Sequence, residues 1–139
     1  MKILEILTER RQTGNIGERL AARHLKKNGY KILAKNYTAF DAETDIIARK
    51  GDTVAFVEVK TRTVGHSDAR EARPASAVNR DKQRKLIKCA KSYMSHSYSL
   101  KAKMRFDIIE VYLTEQKKLC EIKHLISAFN YNTAHSERN

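Results

Sequence analysis

The sequence predicts an α/β fold with a mixed central sheet of about five strands and helices on both faces, with an α+β sandwich as the alternative. Two observations support this expectation: two segments carry apolar residues at helical spacing, and five short segments read as strands. A chain of 139 residues with 41% hydrophobic residues can bury one core and is too short for two ordinary domains.

The two helical segments have recognisable ends. In the first, Ile16, Leu20 and Leu25 recur at helical spacing from Gly14 to about Lys27, and Asn28-Gly29 ends it. The second begins at Asn79, a residue type that caps helices, and continues to about Ser95. A weaker helical signal precedes the first segment. The pattern therefore divides the chain into an N-terminal helical extension (1–13), one domain (14–130) and a flexible tail (131–139).

The predicted strands are bounded by turn residues. Lys50-Gly51-Asp52 is a turn signal, and the segment after it is the clearest strand in the chain. The five strand segments are Tyr30 to about Tyr37, Asp45–Ala48, Val54–Thr61, Met104–Leu113 and Leu119–Lys123. Residues 63–77 read as a surface loop of low apolar content, and such loops next to a site are often functional.

The charge balance indicates a polyanionic partner. Lysine and arginine total 28 against 16 acidic residues, which gives a formal net charge of +12. Nucleic acid is the commonest partner for so basic a domain, while a membrane surface, an acidic protein or simple solubility are the alternatives. No apolar stretch is long enough to span a membrane and the N-terminus does not read as a secretory signal, so we expect a cytoplasmic protein without a membrane partner.

Three charged residues on two neighbouring strands form the strongest candidate site. A two-residue turn at Gly51-Asp52 places Asp45 opposite Glu58, whereas a slip of one residue would place Asp45 near Val57. Because side chains alternate along a strand, Glu58 and Lys60 point the same way. Two carboxylates and one lysine would then share one face.

Such a group suits a divalent cation. Two close carboxylates repel each other unless a cation compensates, and Mg²⁺ (or Mn²⁺) takes carboxylate oxygens while keeping waters and phosphate oxygens. A nearby lysine can orient a water or stabilise charge on a phosphate. The competing interpretation is a cross-strand ion pair at the surface. The apolar strand around Glu58 and the lone Gln83 on an apolar helix stripe favour a site.

The ordered motifs resemble the PD-(D/E)XK nuclease superfamily, and more closely the YraN-like family, also called UPF0102, which is similar to archaeal-type Holliday junction resolvases. The matching stretches span roughly residues 14–130: Gly14–Ala21, Gly29–Leu33, Glu43–Ala48, Phe56–Arg62, Lys82–Arg84, Arg105–Asp107 and Ser127–Phe129. The resemblance implies a restriction-endonuclease-like core.

The resemblance also implies roles for single residues. Asp45 and Glu58 would bind the metal, and Lys60 would assist the attacking water. Glu18 would be a further ligand or a supporting acid, and Gln83 a supporting residue of the site or merely a polar residue at a helix edge.

The remaining assignments concern contacts around that core. We expect three basic residues to contact nucleic acid: Arg62, Lys82 and Arg84. For Arg62 the alternative is a simple charged residue at the rim of the site. Asp107 is expected to be structural and to pair with Arg105. Likeness to resolvases allows a homodimer.

Other features have two interpretations each. Tyr37, Phe40 and Tyr98 can stack on splayed bases or serve ordinary packing. Cys89 and Cys120 lack metal-binding spacing and read as buried thiols. The function expected from the sequence is a metal-dependent endonuclease acting on DNA, including branched or flapped DNA. The alternative is a non-catalytic nucleic-acid-binding module that retains the nuclease fold.

Overall fold

A computed structural model describes residues 2–65, 78–97 and 101–136 of the chain. Within these ranges the order of elements is α1 (Ile3–Lys27), β1 (Lys31–Ala39), β2 (Ala42–Lys50), β3 (Thr53–Thr63), α2 (Arg80–His96), β4 (Lys103–Leu113), β5 (Leu119–Phe129) and α3 (Tyr131–His135). The loop predicted at 63–77 and the residue Tyr98 lie largely or wholly outside the described residues.

The five strands form one mixed sheet in the order β1-β2-β3-β4-β5. β3 and β4 are parallel, and the other neighbouring pairs are antiparallel. Parallel neighbours need a long connection, and α2 supplies it between β3 and β4. The predicted mixed sheet of about five strands is confirmed.

The register of β2 and β3 follows from the turn between them. Lys50 pairs with Thr53 and Ile46 pairs with Val57, and Gly51 turns the chain with a positive φ of 60°. This is the register that the two-residue turn predicts, and the slipped alternative is excluded. If the observed register is continued by one residue pair, Asp45 lies next to Glu58.

Helices cover both faces of the sheet, as predicted. On one face α1 packs Ala21 and Leu25 against sheet residues that include Val57 and Ile109. On the other face α2 packs Leu86 and Ala90 against residues that include Phe56. The alternation of β3 side chains therefore assigns Val57 to the α1 side and its neighbours Phe56 and Glu58 to the α2 side.

Helices lie towards both ends of the described chain. Helix α1 begins at Ile3 and runs through residue 14 without a break, so the predicted extension is the first part of a longer helix. In the segment expected to be a tail, residues 131–135 form α3, which an Asn130–Thr133 capping box begins. Of the two cysteines, Cys89 is buried as expected, but Cys120 is exposed because β5 is an edge strand.

Candidate metal and nucleic-acid site

Asp45 of β2 and Glu58 of β3 meet at the edge of an open cavity of about 680 Å³. Adjacent strands hold the two residues side by side, and the turn between the strands fixes their register. Lys60, one pleat beyond Glu58, lines the same cavity, as do Glu18 and Arg62. The three charged residues singled out from the sequence therefore lie together.

Asp45 is held in an unfavourable electrostatic environment. Its Oδ2 accepts a hydrogen bond from the backbone N–H of Val59 at 2.8 Å. Burial, followed by the charge of the neighbouring Glu58, raises the pKa of Asp45 to about 7, although the Val59 hydrogen bond acts to lower it. Asp45 therefore holds its proton up to much higher pH than an ordinary aspartate does.

Glu58 is buried, and its Oε2 forms an ion pair with the ammonium of Lys82 on α2. Lys82 was expected to contact nucleic acid, and the structure instead joins it to the candidate metal ligand. The contact forms because the start of α2 lies over the face of β3 that carries Glu58.

Lys60 is half-buried, and its charged neighbours are two acids and two bases. Burial lowers the pKa of Lys60, and the charges of Lys82 and Arg62 lower it further, while Glu58 and Asp45 oppose these effects. The net direction is downward, so this amine gives up its proton more readily than a surface lysine does.

Glu18 reaches the cavity because α1 passes very close to β3 at Gly17. A Cβ atom at position 17 would lie 1.9 Å from Oγ1 and 2.9 Å from Cβ of Thr61. No rotation of the Thr61 side chain removes the second contact, so only glycine allows this approach. The pKa of Glu18 is raised, first by burial and then by Glu43.

Two residues assigned to the site from the sequence do not line the cavity. Gln83 is buried, and its Nε2 donates a hydrogen bond to the carbonyl of Val78 at 2.6 Å. Its observed contact therefore holds the segment that precedes α2. Arg84 is exposed on α2 and is likewise absent from the cavity wall.

Several cavity residues were not singled out from the sequence. They are Asp41, Thr61, Asn79, Asp81 and Lys85. For Lys85 a signal existed, because it follows Lys82 by three residues on a helix and such residues share a face. The others come from a hairpin turn, a strand end and a helix start, where sequence spacing says little about which groups meet.

A second buried carboxylate lies on β4. Asp107 has no exposed surface, and Arg105 donates two hydrogen bonds to it at 2.8 and 2.7 Å, which confirms the expected pairing. It also contacts His124 Nε2 at 2.8 Å and accepts the Ser127 N–H at 3.0 Å. Burial acts to raise the pKa of Asp107, but these partners outweigh it and the pKa is lowered.

The aromatic residues that were candidates for base stacking differ in their exposure. Tyr37 lies edge-on against Tyr93, with its hydroxyl 3.3 Å from Oγ of Ser92. Tyr37 is therefore a packing residue. Phe40, at the turn between β1 and β2, is largely exposed.

The donor set at Asp45 and Glu58 fits a hard divalent cation. Two close carboxylates repel each other and gain from a cation between them, and Mg²⁺ typically binds one or two carboxylates plus water and phosphate oxygens. Within the described ranges, no three His, Cys, Asp or Glu side chains form a ready-made metal-binding group. A cation here would therefore complete its shell with water or substrate oxygens.

Comparisons with known proteins agree on one family. The model of the family described as "Uncharacterised protein family UPF0102" matches residues 17–111. A UPF0102 protein of Caldanaerobacter subterraneus is 41% identical over 121 residues, covering 86% of this chain and 96% of its own. Similar proteins of Caldicellulosiruptor saccharolyticus and Geobacter metallireducens are 37% and 40% identical, covering 86% and 84% of this chain and 98% and 90% of their own. No helix among the described residues has the length and apolar character to cross a membrane.

Proposed function

This chain belongs to the uncharacterised protein family UPF0102, and we propose that it is a Mg²⁺- or Mn²⁺-dependent endonuclease of the PD-(D/E)XK type that hydrolyses phosphodiester bonds in DNA. One observation carries the proposal: Asp45, Glu58 and Lys60 line one open cavity whose wall also carries Arg62, Lys82 and Lys85. Carboxylates for a cation, an amine for a water and basic side chains for phosphates are the parts that this reaction needs.

Asp45 and Glu58 would hold the cation. When bound, a divalent cation polarises a phosphodiester and lowers the pKa of a bound water. The Val59 N–H fixes the orientation of Asp45, because it holds Oδ2 and leaves Oδ1 for a ligand. Glu18 is a further acid of the cavity and lies on α1, where it can hold a water in place.

Lys60 is the candidate for handling the attacking water. Its amine is half-buried next to the carboxylates, and its lowered pKa makes it a better proton acceptor than a free lysine. In its charged form the same amine stabilises negative charge that develops on the phosphate. Both uses need the lysine on the cavity face, which is where β3 carries it.

Lys82 would exchange its ion pair with Glu58 for a phosphate contact when a cation and nucleic acid bind. Without a cation its ammonium neutralises Glu58. A cation at Glu58 takes over that neutralisation and leaves Lys82 at the cavity wall, where it can contact a phosphate together with Lys85 and Arg62. The +12 net charge of the chain adds a general attraction to nucleic acid that weakens with salt.

The test is cleavage of flap, junction and single-stranded DNA in Mn²⁺ by the wild type, Asp45→Asn and Lys60→Ala. We expect each substitution to lower the rate by roughly 100-fold or more, which is the usual cost of losing one group that stabilises the transition state. Asp81→Asn is the matched control, because Asp81 is an exposed acid of the same cavity and pairs with Lys85 at 3.6 Å. Equal rates for all four proteins overturn the assigned roles.

The ion pair between Glu58 and Lys82 favours a second candidate, a nucleic-acid-binding module without useful catalysis. In that case the lysine permanently replaces the cation. Calorimetric titration with Mn²⁺ distinguishes the two, because the nuclease requires a cation site that disappears in Asp45→Asn and in Glu58→Gln. Salt-dependent DNA binding without any Mn²⁺ binding would favour the module.

A further inference from the structure

The turn between β1 and β2 carries an aromatic residue in an unusual backbone conformation. Ala39 pairs with Ala42, so Phe40 and Asp41 form a two-residue turn, with φ values of 53° and 59°. Turns of this kind require a left-handed backbone at both positions and favour Asn, Asp and Gly. Asp41 fits that preference, whereas a bulky residue at position 40 is strained. Such an outlier is a reason to look for a function of the side chain.

The Phe40 ring does not serve the core. It is 60% exposed, and the ammonium of Lys88 on α2 lies 5.8 Å from its centroid. Tyr131 offers a comparison, since it is 52% exposed and has Lys91 at 4.8 Å. Tyr131, however, lies in a regular helix, where its backbone conformation is relaxed. Phe40 combines exposure with a backbone that disfavours its residue type.

The turn is part of the wall of the candidate site. Asp41, Ala42 and Glu43 line the same cavity as Asp45. Phe40 precedes Asp45 by five positions, which corresponds to on the order of 15 Å along an extended strand. Lys88 follows the cavity residue Lys85 by three positions on α2, so basic groups continue from the cavity towards the Phe40 ring.

We propose that Phe40 stacks on an unpaired base, so that the substrate is single-stranded or branched nucleic acid with a base free near the cleavage site. The proposal rests on the proposed nuclease function for the chemistry at Asp45, but the stacking itself needs no cleavage. Base faces stack on aromatic rings without regard to sequence. In an intact duplex those faces are covered by neighbouring bases, so an exposed ring selects nucleotides that are splayed out.

The charges around the ring suit a base better than a phosphate. Asp41 follows Phe40 directly and repels phosphate, whereas the face of a base is uncharged. Lys88, whose ammonium lies near the ring, can hold the phosphate of the stacked nucleotide, and a cation beside an aromatic ring is a common arrangement in single-strand binding.

Tryptophan fluorescence tests the stacking directly, because the chain contains no tryptophan. Phe40→Trp and, as a matched control, Tyr131→Trp are each titrated with a single-stranded thymidine oligonucleotide and with a blunt duplex in EDTA. We expect saturable quenching of the Phe40→Trp signal by the single strand, little by the duplex, and little in the control. Equal quenching in both variants, or binding of the single strand without quenching at position 40, overturns the proposal.

Affinity variants separate stacking from folding. Phe40→Asn removes the ring but supplies a residue that the turn prefers, so it keeps the hairpin intact. We expect it to weaken single-strand binding in EDTA by roughly 5- to 100-fold, as for the loss of one stacked base, with duplex binding unchanged. Phe40→Tyr should bind like the wild type. Unchanged single-strand affinity of Phe40→Asn overturns the proposal.

Different results would refute the nuclease proposal and the stacking proposal. If Asp45→Asn cleaves as fast as the wild type, the assigned nuclease site is wrong, but quenching at position 40 still establishes stacking. If Phe40→Trp shows no quenching while Asp45→Asn loses cleavage, the nuclease stands and the stacking role of Phe40 is wrong.

Discussion

Two acidic groups on the same sheet, one fully buried and one partly buried, have opposite surroundings. Asp107 is contacted by Arg105, His124 and the Ser127 N–H, and its pKa is lowered. Asp45 has one backbone donor and an acidic neighbour, Glu58, and its pKa is raised to about 7. The first carboxylate is saturated with donors, whereas the second accepts one backbone hydrogen bond and faces an acid.

This difference separates a structural group from a candidate functional group. A carboxylate whose donors are all supplied by the protein stabilises the fold and has nothing to offer a ligand. A pair of carboxylates that repel each other costs stability and gains from a cation. Proteins accept such a cost where a site needs it. The comparison therefore supports a structural role for Asp107 and a ligand-binding role for Asp45.

The largest expected effect is the loss of Asp107. Asp107→Ala leaves the Arg105 guanidinium without its carboxylate in a partly buried position, and removing one partner of a buried ion pair typically costs about 3–5 kcal/mol. We expect the free energy of unfolding in urea to fall by that amount. Asp45→Ala is the control and should cost much less. Equal losses at the two positions would remove the contrast between them.

The next effect is a pH dependence that arises at Asp107. Because its pKa lies below the ordinary value of 3.8, the folded state holds the proton less tightly than the unfolded state does. The stabilisation is thus complete above the ordinary pKa and is lost as the pH falls through the folded pKa.

We therefore expect the unfolding free energy of the wild type to fall between about pH 5 and pH 2, and this fall to be shallower in Asp107→Asn. Urea titrations at a series of pH values check this slope. If Asp107→Asn is too unstable to measure, His124→Gln, which removes one partner of the carboxylate, should reduce the slope in part. An identical slope in all three proteins contradicts the assignment.

The sheet and the carboxylate pair could be predicted because they depend on local signals. The Gly51-Asp52 turn sets the register of two neighbouring strands, and strand alternation then places Glu58 and Lys60 on one face. The pairing of Asp107 with Arg105 could be predicted for the same reason, because residues two apart on a strand share a face.

The contacts that escaped prediction come from separate elements. The ion pair between Lys82 and Glu58 depends on how α2 docks on the sheet, which no spacing within the sequence specifies. Gln83 was assigned to the site, and its amide donates to the carbonyl of Val78 just before α2, a local contact that depends on the path of the chain into the helix. The start of α1 at Ile3 was only weakly signalled because the apolar residues there, Ile3 and Leu4, remain exposed.

The smallest expected effect concerns Asp45 and tests the comparison most directly. Asp45→Asn replaces an acid that Glu58 repels with a neutral amide, so the repulsion disappears while the amide oxygen can still accept the Val59 N–H. In EDTA at pH 8 we expect the unfolding free energy to rise by about 0.5–1 kcal/mol, as is common when a strained site is relieved. Mn²⁺ should raise the melting temperature of the wild type but not of this variant, because only the wild type keeps the cation site. A variant that is less stable than the wild type in EDTA would mean that Asp45, like Asp107, serves the fold.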